Sequence, residues 1–484
     1  MTTKVSVKTR FCPSPTGLMH LGNLRTALFN VLLAKAYQAK QESAGFLLRI
    51  EDTDMARSEN EFSEKLMSDL EWLDLHWQEG PKHSGLHEPY YQSQRTGIYE
   101  KFYQQLLENK QAYWCFCTDT ELTITRRTQV QAGMPPRYAG TCRHLTDEQI
   151  ADRRAKGLIP ALRFRIPDGE HIHFDDFIQG PKNFATDDIG DFIIKKADGS
   201  ASFMFCNAVD DALMEVTHVM RGEDHLTNTP RQLLVLKSLG LKAPSYGHMP
   251  LILGFDGKPL SKRNGSQSVE SLREQGYFPL AIVNYLSRLG HHFEAETLLS
   301  LDELGRHFSV THIGRSPARF DLAQLKHWQK ETILQKNEDE FLSWIKPFVE
   351  QFVSQDKLTL FVQTIKQNVV LPADAVEWAK QFLTSECHWD SDAMASLTSD
   401  AGKKILEALE EAIRVEGDDY AKVVSKITAE TEQKGKQLFL PLRSAITGRV
   451  FGPELAKIFL LMGKDALLKR AQKAKEVAFS GVNA

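Results

Sequence analysis

The sequence predicts an α/β protein. A parallel-sheet domain of doubly wound, Rossmann form is interrupted by a smaller α/β insertion and is followed by an all-α C-terminal domain. Three observations predict this. Residues 4–37 read as strand, stiff loop and helix in direct succession. A second strand ending in acids comes next. In the last 155 residues only 7 of 30 Gly and 4 of 19 Pro remain, and apolar residues keep a 3.6 period, the pattern of packed helices.

Bulk properties narrow the field. At 484 residues the chain is too long for one core, and about three domains are expected. Hydrophobic residues make up 42% and charged residues 25%, a globular balance. A formal net charge of −4 gives no global basic field, so a nucleic-acid partner must be met by local Lys/Arg patches. The six Cys do not make a disulfide framework, but three fall close together, which points to metal. No apolar run approaches a membrane span and no signal segment is visible, so a soluble cytoplasmic protein is expected.

The elements follow in order. Lys4–Thr9 alternates as a strand does, and Leu24–Tyr37 repeats apolar residues at helical spacing without Gly or Pro. Pro13 and Pro15 stiffen the loop between them, and Gly17 and Gly22 open it for close approach. Bare N–H groups at such a helix start form an anion site, most often for nucleotide phosphate. His20 adds a side-chain donor at its mouth. Gly45–Thr53 reads as a buried strand ending in acids. Strand–helix–strand order implies a parallel pair with ligands at its carboxyl end, which brings Glu51 near His20 and Arg10. Residues 60–75 read as an amphipathic helix.

Cys115 and Cys117 are followed by a 24-residue interval and then Cys142 and His144. Three thiols and one imidazole suit tetrahedral Zn²⁺ with no position left for water, hence a structural role. Ala161–Ile166, His171–Phe174 and Asp191–Ile194 read as short strands. Phe203–Asp211 reads as a strand running into a polar loop. Glu215–Met220 is a further strand ending at Arg221, and His248–Leu253 the last one.

The motifs carry a resemblance. Pro13-Ser-Pro-Thr-Gly17 with His20-Leu-Gly-Asn23 resembles the first signature of the class I aminoacyl-tRNA synthetases, in their bacterial glutamyl branch, with Asn23 in place of the usual second His. Arg49–Asp54 is similar to the same branch, and the Cys115…His144 set to the zinc ligands many members carry. Leu260-Ser-Lys-Arg263 resembles the second signature, with Pro259 where its first lysine stands and Lys258 one residue earlier. Phe203 stands where the branch often has Tyr. Leu438–Arg449 resembles a helix-entry motif whose Arg443 and Arg449 face either phosphates or structural salt bridges.

The resemblance implies a glutamate–tRNA ligase that forms glutamyl adenylate and pyrophosphate from ATP and L-glutamate, then transfers the acyl group to tRNA. Glutamine tRNA is the alternative acceptor. His20 and Lys262 would be catalytic. Pro13, Ser14, Gly17, His20, Gly22, Asn23, Ser261, Lys262 and Arg263 would hold ATP with Mg²⁺. Lys262 would stabilise charge building on pyrophosphate. Arg10, Ser14, Glu51, Phe203, Asn207 and Arg221 would hold glutamate. Glu51 would take its ammonium and the two guanidinium forks its carboxylates, Arg10 the side-chain one. The implied domains are a first catalytic half (1–95), an acceptor-binding insertion (96–202), a second catalytic half (203–265), a helical stem-contact region (266–328) and an anticodon-binding domain (329–484). No membrane and no second subunit are expected.

Overall fold

The structure, a computed structural model, describes residues 6–54, 60–83, 85–384 and 386–480, and of Lys262 the backbone alone. Lys4, at the start of the expected first strand, lies outside these. The chain divides into two units, Met1–Leu272 with Ile282–Leu322, and Arg273–Ala281 with Ala323–Ala484.

In the first unit the alternating run becomes β1 (Val7–Phe11), followed by α1 (Leu21–Ala39) and β2 (Ala44–Leu48). β1 and β2 pair in parallel, with Arg10 opposite Leu47. The second strand is shorter than expected: Glu51 lies beyond it, where its N–H donates to the Pro13 carbonyl. Next come α2 (Asn60–Trp72) and α3 (Thr96–Glu108). The segment after α3 contains β3 (Ala112–Cys115), α4 (Asp119–Gln131), α5 (Asp147–Ala155), β4 (Ala161–Phe164), β5 (His171–Asp176), β6 (Gly180–Ala185) and β7 (Phe192–Lys195). β3, β4 and β7 form an antiparallel sheet, while β5 and β6 form a hairpin. Thr118 with Glu121 and Thr146 with Gln149 close capping boxes on α4 and α5, so both helix starts are locally encoded.

Phe203–Asp211 is not a strand. It lies in α6 (Phe203–Leu213). Its apolar opening run fits either a buried strand or a buried helix. Tertiary packing decides, and in the helix Phe203, Asn207 and Asp211, four residues apart, share one face. Phe205 and Val209 pack in the core beside Tyr99 and Tyr103.

β8 (His218–Gly222), α7 (Thr229–Leu239) and β9 (Ser245–Met249) form a second parallel pair, with Arg221 opposite His248. The Thr217 N–H donates to the Lys8 carbonyl at 2.9 Å, tying this pair to β1. The expected last strand is broken at Pro250, whose missing N–H interrupts the ladder. β10 (Ile252–Leu253) pairs instead with β11 (Ala318–Arg319).

The second unit is helical, from Leu322–Gln335 to Lys464–Ser480. Its core joins Phe341, Phe361, Phe382, Leu409 and Phe459, all almost wholly buried. Leu438–Arg449 is not a helix entry: it lies largely inside the helix Lys436–Thr447. Arg443 donates to the Pro453 carbonyl, and Arg449 pairs with Glu377 at 3.0 Å over the Trp378 ring. No helix among the described residues is long and apolar enough to cross a membrane.

Candidate active site

The loop after β1, the end of β2, α6, the end of β8 and the turn after β10 surround one cavity of about 480 Å³. Arg10, Pro13, Ser14, His20, Gly22, Asn23, Glu51, Phe203, Asn207 and Arg221 all line it, as does Pro259. The remaining expected residues do not. Gly17 and the exposed Ser261 and Arg263 stand off its wall, and the side chain of Lys262 lies outside the described residues.

His20 is the N-cap of α1. Its Nδ1 accepts from the N–H groups of Gly22 (3.1 Å) and Asn23 (3.4 Å). An accepting Nδ1 puts the ring proton on Nε2, so a neutral His20 is a donor beside an electropositive helix end. A Cβ on Gly22 would approach the His20 ring to 3.0 Å, so glycine is what lets the ring fold over the helix start. Gly17 has open space and serves no such close approach.

The segment just after the second signature loop meets the first through the backbone. Ser268 bridges His20, and the Val269 N–H donates to the Met19 carbonyl. The loop is closed on itself by Asn264. Its Oδ1 accepts from the Ser261 N–H at 2.6 Å, and its Nδ2 donates to Asp256 at 2.8 Å. A Cβ on Gly254 would strike Asn264 at 2.5 Å. Lys258 is exposed, and its N–H donates to Asp256.

The two strand-end arginines differ in their partners. Arg10 pairs with Asp211 through Nε and Nη2, at 3.2 and 3.3 Å. Arg49 joins the same carboxylate at 2.7 Å and reaches the Asn207 amide oxygen at 3.0 Å. Asp210 binds Arg95 at 2.7 Å. Among the described residues Arg221 has only neutral hydrogen-bond partners: Nε donates to His248, and Nη2 to Thr229 and Gln232. Its Nη1 is buried with no hydrogen-bond partner among the described residues, and burial lowers its pKa to about 10. Arg10, Arg49 and Arg95 share Asp210 and Asp211, whereas Arg221 is left to a ligand carboxylate. Asp211, Arg49 and Asp210 join the site beyond the expected set; the pairing of two adjacent helix acids with remote arginines has no signal in spacing along the chain.

Glu51 is pushed up to about 7, chiefly by burial, against the pull of Asn207, Arg49 and Arg10. The raised value makes the neutral form part of the fold. That contribution is complete below the ordinary carboxylate range and is lost as pH rises through about 7. An ammonium ligand needs the ionised form. Affinity for an α-amino acid is therefore expected to rise between about pH 6 and 8, and the rise is expected to vanish in Glu51→Gln; isothermal titration across that range checks both.

The three thiols of the metal candidate come together. The Sγ atoms of Cys115, Cys117 and Cys142 lie within 4.8 Å of one another. His144 is a correction: it is exposed and stands outside that group. The Tyr138 hydroxyl lies 3.5 Å from Cys115 and from Cys117. The Cys142 thiol's hydrogen bond lowers Cys115 most, with Tyr138 and Arg163 adding to it against burial, bringing it to about 4. A thiolate is the metal-binding form, so the donor set fits a soft or borderline cation. A further cavity of about 630 Å³ adjoins Cys117 and Tyr138, lined by Arg126, Arg137, Arg163 and Arg231.

Comparison with known proteins shows the family. A family model for tRNA synthetases class I (E and Q), catalytic domain, matches residues 6–327, and one for an anticodon binding domain matches residues 340–475. A glutamate–tRNA ligase of Coxiella burnetii is 49% identical, covering 97% of this chain and 99% of its own length. One of Nitrosococcus oceani is 48% identical, covering 98% of this chain and 100% of its own. The solved structure of a glutamate–tRNA ligase from Elizabethkingia meningosepticum, in complex with its amino acid, superposes with a TM-score of 0.83 at 28% identity over 98% of this chain and 99% of that one. With both signature loops on one cavity and matches along nearly its whole length, the chain belongs to the class I tRNA synthetases of the E and Q type.

Proposed function

We propose that the protein is a glutamate–tRNA ligase, acting in the cytoplasm: it activates L-glutamate with ATP and transfers it to the 3′ end of glutamate tRNA. The observation that carries the reading is the cavity where Arg10, Arg221, Glu51 and His20 converge beneath the second signature loop. In it Arg221 takes one substrate carboxylate through its unpaired Nη1. Arg10, tethered by Asp211, takes the side-chain carboxylate, and Glu51 with Ser14 holds the ammonium. Phe203 offers a ring without a hydroxyl, so Asn207, whose Nδ2 is also buried without a full hydrogen bond, carries the polar contact. Pro13, Gly22, Asn23 and the His20 Nε2–H receive ATP and its Mg²⁺, with Ser261, Lys262 and Arg263 supplied by the second loop. No protein nucleophile is required, because positioning and charge stabilisation lower the barrier.

Glutamate-dependent exchange of labelled pyrophosphate into ATP, run with tRNA present, tests the activity. Charging of glutamate and glutamine tRNAs side by side tests the acceptor. Exchange and a charged glutamate tRNA are expected; absence of exchange with either tRNA would sink the reading.

The thiol cluster holds a structural Zn²⁺ in this reading, with the Tyr138 oxygen rather than His144 nearest the fourth position. Bound there, zinc would staple the polar segment 118–141. Metal analysis of purified protein is expected to find about one zinc per chain. Cys117→Ser and Tyr138→Phe should lower that occupancy, and His144→Ala should not. Zinc loss in His144→Ala alone would restore the imidazole as ligand.

A further inference from the structure

We propose that Asp176, on the β5–β6 hairpin, is a positioning residue for glutamate recognition: it fixes the tautomer of His248, and through His248 the orientation of Arg221. The inference deepens the reading of Arg221 as a carboxylate-binding residue and rests on it.

The three residues form a line. Arg221 and His248 stand opposite each other in the β8–β9 pair. Arg221 Nε lies 3.2 Å from His248 Nε2. A guanidinium only donates, so His248 Nε2 is the accepting nitrogen and the ring proton is on Nδ1. Nδ1 lies 2.5 Å from the Asp176 carboxylate. Thr229 completes the bracket, 3.0 Å from Nε2 and accepting from Arg221 Nη2 at 2.8 Å.

Asp176 is itself held rigidly. Its Oδ1 accepts from the N–H groups of Ile178 (2.9 Å) and Gln179 (2.7 Å), and both oxygens lie 3.2 Å from the His248 N–H. The hairpin tip is seated by Phe177, whose ring lies where a Cβ on Gly247 would come within 2.1 Å. Neither Asp176 nor His248 has an exposed side chain. Burial lowers the His248 pKa, which keeps the ring neutral and Nε2 accepting; Asp176 stays below the ordinary carboxylate range because His248 and the backbone N–H groups outweigh its burial.

Each link therefore has one polarity. Asp176 demands a proton on Nδ1, a protonated Nδ1 leaves Nε2 bare, and a bare Nε2 is what Arg221 Nε can point at. Asp176→Asn preserves an oxygen for the two turn N–H groups but sets an amide N–H against Nδ1. The ring must then carry its proton on Nε2, donor against donor at Arg221, and the fork swings from its place at the cavity wall. A core contact with no functional consequence would not depend on which ring nitrogen holds the proton.

The test compares wild type, Asp176→Asn, His248→Gln and the double variant by glutamate-dependent exchange with tRNA present, by melting temperature, and by the ¹⁵N shifts of His248 in wild type and Asp176→Asn. Loss of a charge-assisted bond predicts a glutamate KM raised roughly 10- to 100-fold in Asp176→Asn, an ATP KM within about twofold of wild type, and exchanged Nδ1 and Nε2 shifts. Gln at position 248 has an amide oxygen that accepts from Arg221 without any tautomer. In that background Asp176→Asn should raise the glutamate KM no further. An equal rise in the His248→Gln background, or an exchanged tautomer with the glutamate KM unmoved, overturns the proposal. Wild-type protein without glutamate-dependent exchange would instead remove the functional reading, and the substrate half of this inference with it.

Discussion

Replacing Asp211 by Asn is expected to cost about 3–5 kcal/mol of stability in the first unit, because removing one partner of a buried ion pair strands the other. Here two guanidiniums lose a partner, of which Arg49 keeps Asp210 at 4.0 Å. Arg10 and Arg49 both lean on this carboxylate, and all three side chains are nearly fully buried. An amide keeps one oxygen and turns its NH₂ toward a guanidinium, donor against donor. The Asp211 pKa is held low against its burial by Arg10 and then Arg49. Its contribution is thus fully present above the ordinary carboxylate range, about pH 4, and is lost as pH falls through the lower folded value. Thermal melts of wild type and variant at neutral pH decide it. An unchanged transition in Asp211→Asn would mean the cluster is already neutralised by groups other than those described.

Replacing Arg221 by Gln should show the opposite balance. Among the described residues no carboxylate pairs with this guanidinium, and its Nη1 is buried without a partner. Removing a buried, unpaired charge relieves a desolvation cost, so the melting temperature should hold or rise. Binding should suffer, because a site built around a charge-assisted pair rejects a ligand that cannot complete it. The expected loss in kcat/KM for glutamate is roughly 100-fold, equivalent to about 3 kcal/mol, with the KM for ATP little changed. Arg10→Gln should differ: it also breaks the pair with Asp211 and so should lower stability together with affinity. A glutamate KM that ignores Arg221→Gln would mean the unpaired guanidinium serves something other than this substrate. The contrast follows from charge compensation: Arg10 is half spent on the fold, and Arg221 is held in reserve.

Much of this protein could be read along the chain. Val7–Phe11, Leu21–Ala39 and the helical second unit declare themselves by period, and His20 over Gly22 declares a helix start able to meet an anion. These are short-range facts, because side-chain alternation, helical repeat and end-capping are settled within a few residues. Tertiary structure decided the rest. It made Phe203–Leu213 a helix, where an apolar opening run left strand and helix both open. It gave Arg10 a partner 201 residues away and left Arg221 with none that is charged. It brought the Tyr138 hydroxyl, not His144, to the thiols. Which buried charge cancels which depends on distances of a few ångströms between remote segments, and spacing along a chain does not encode them.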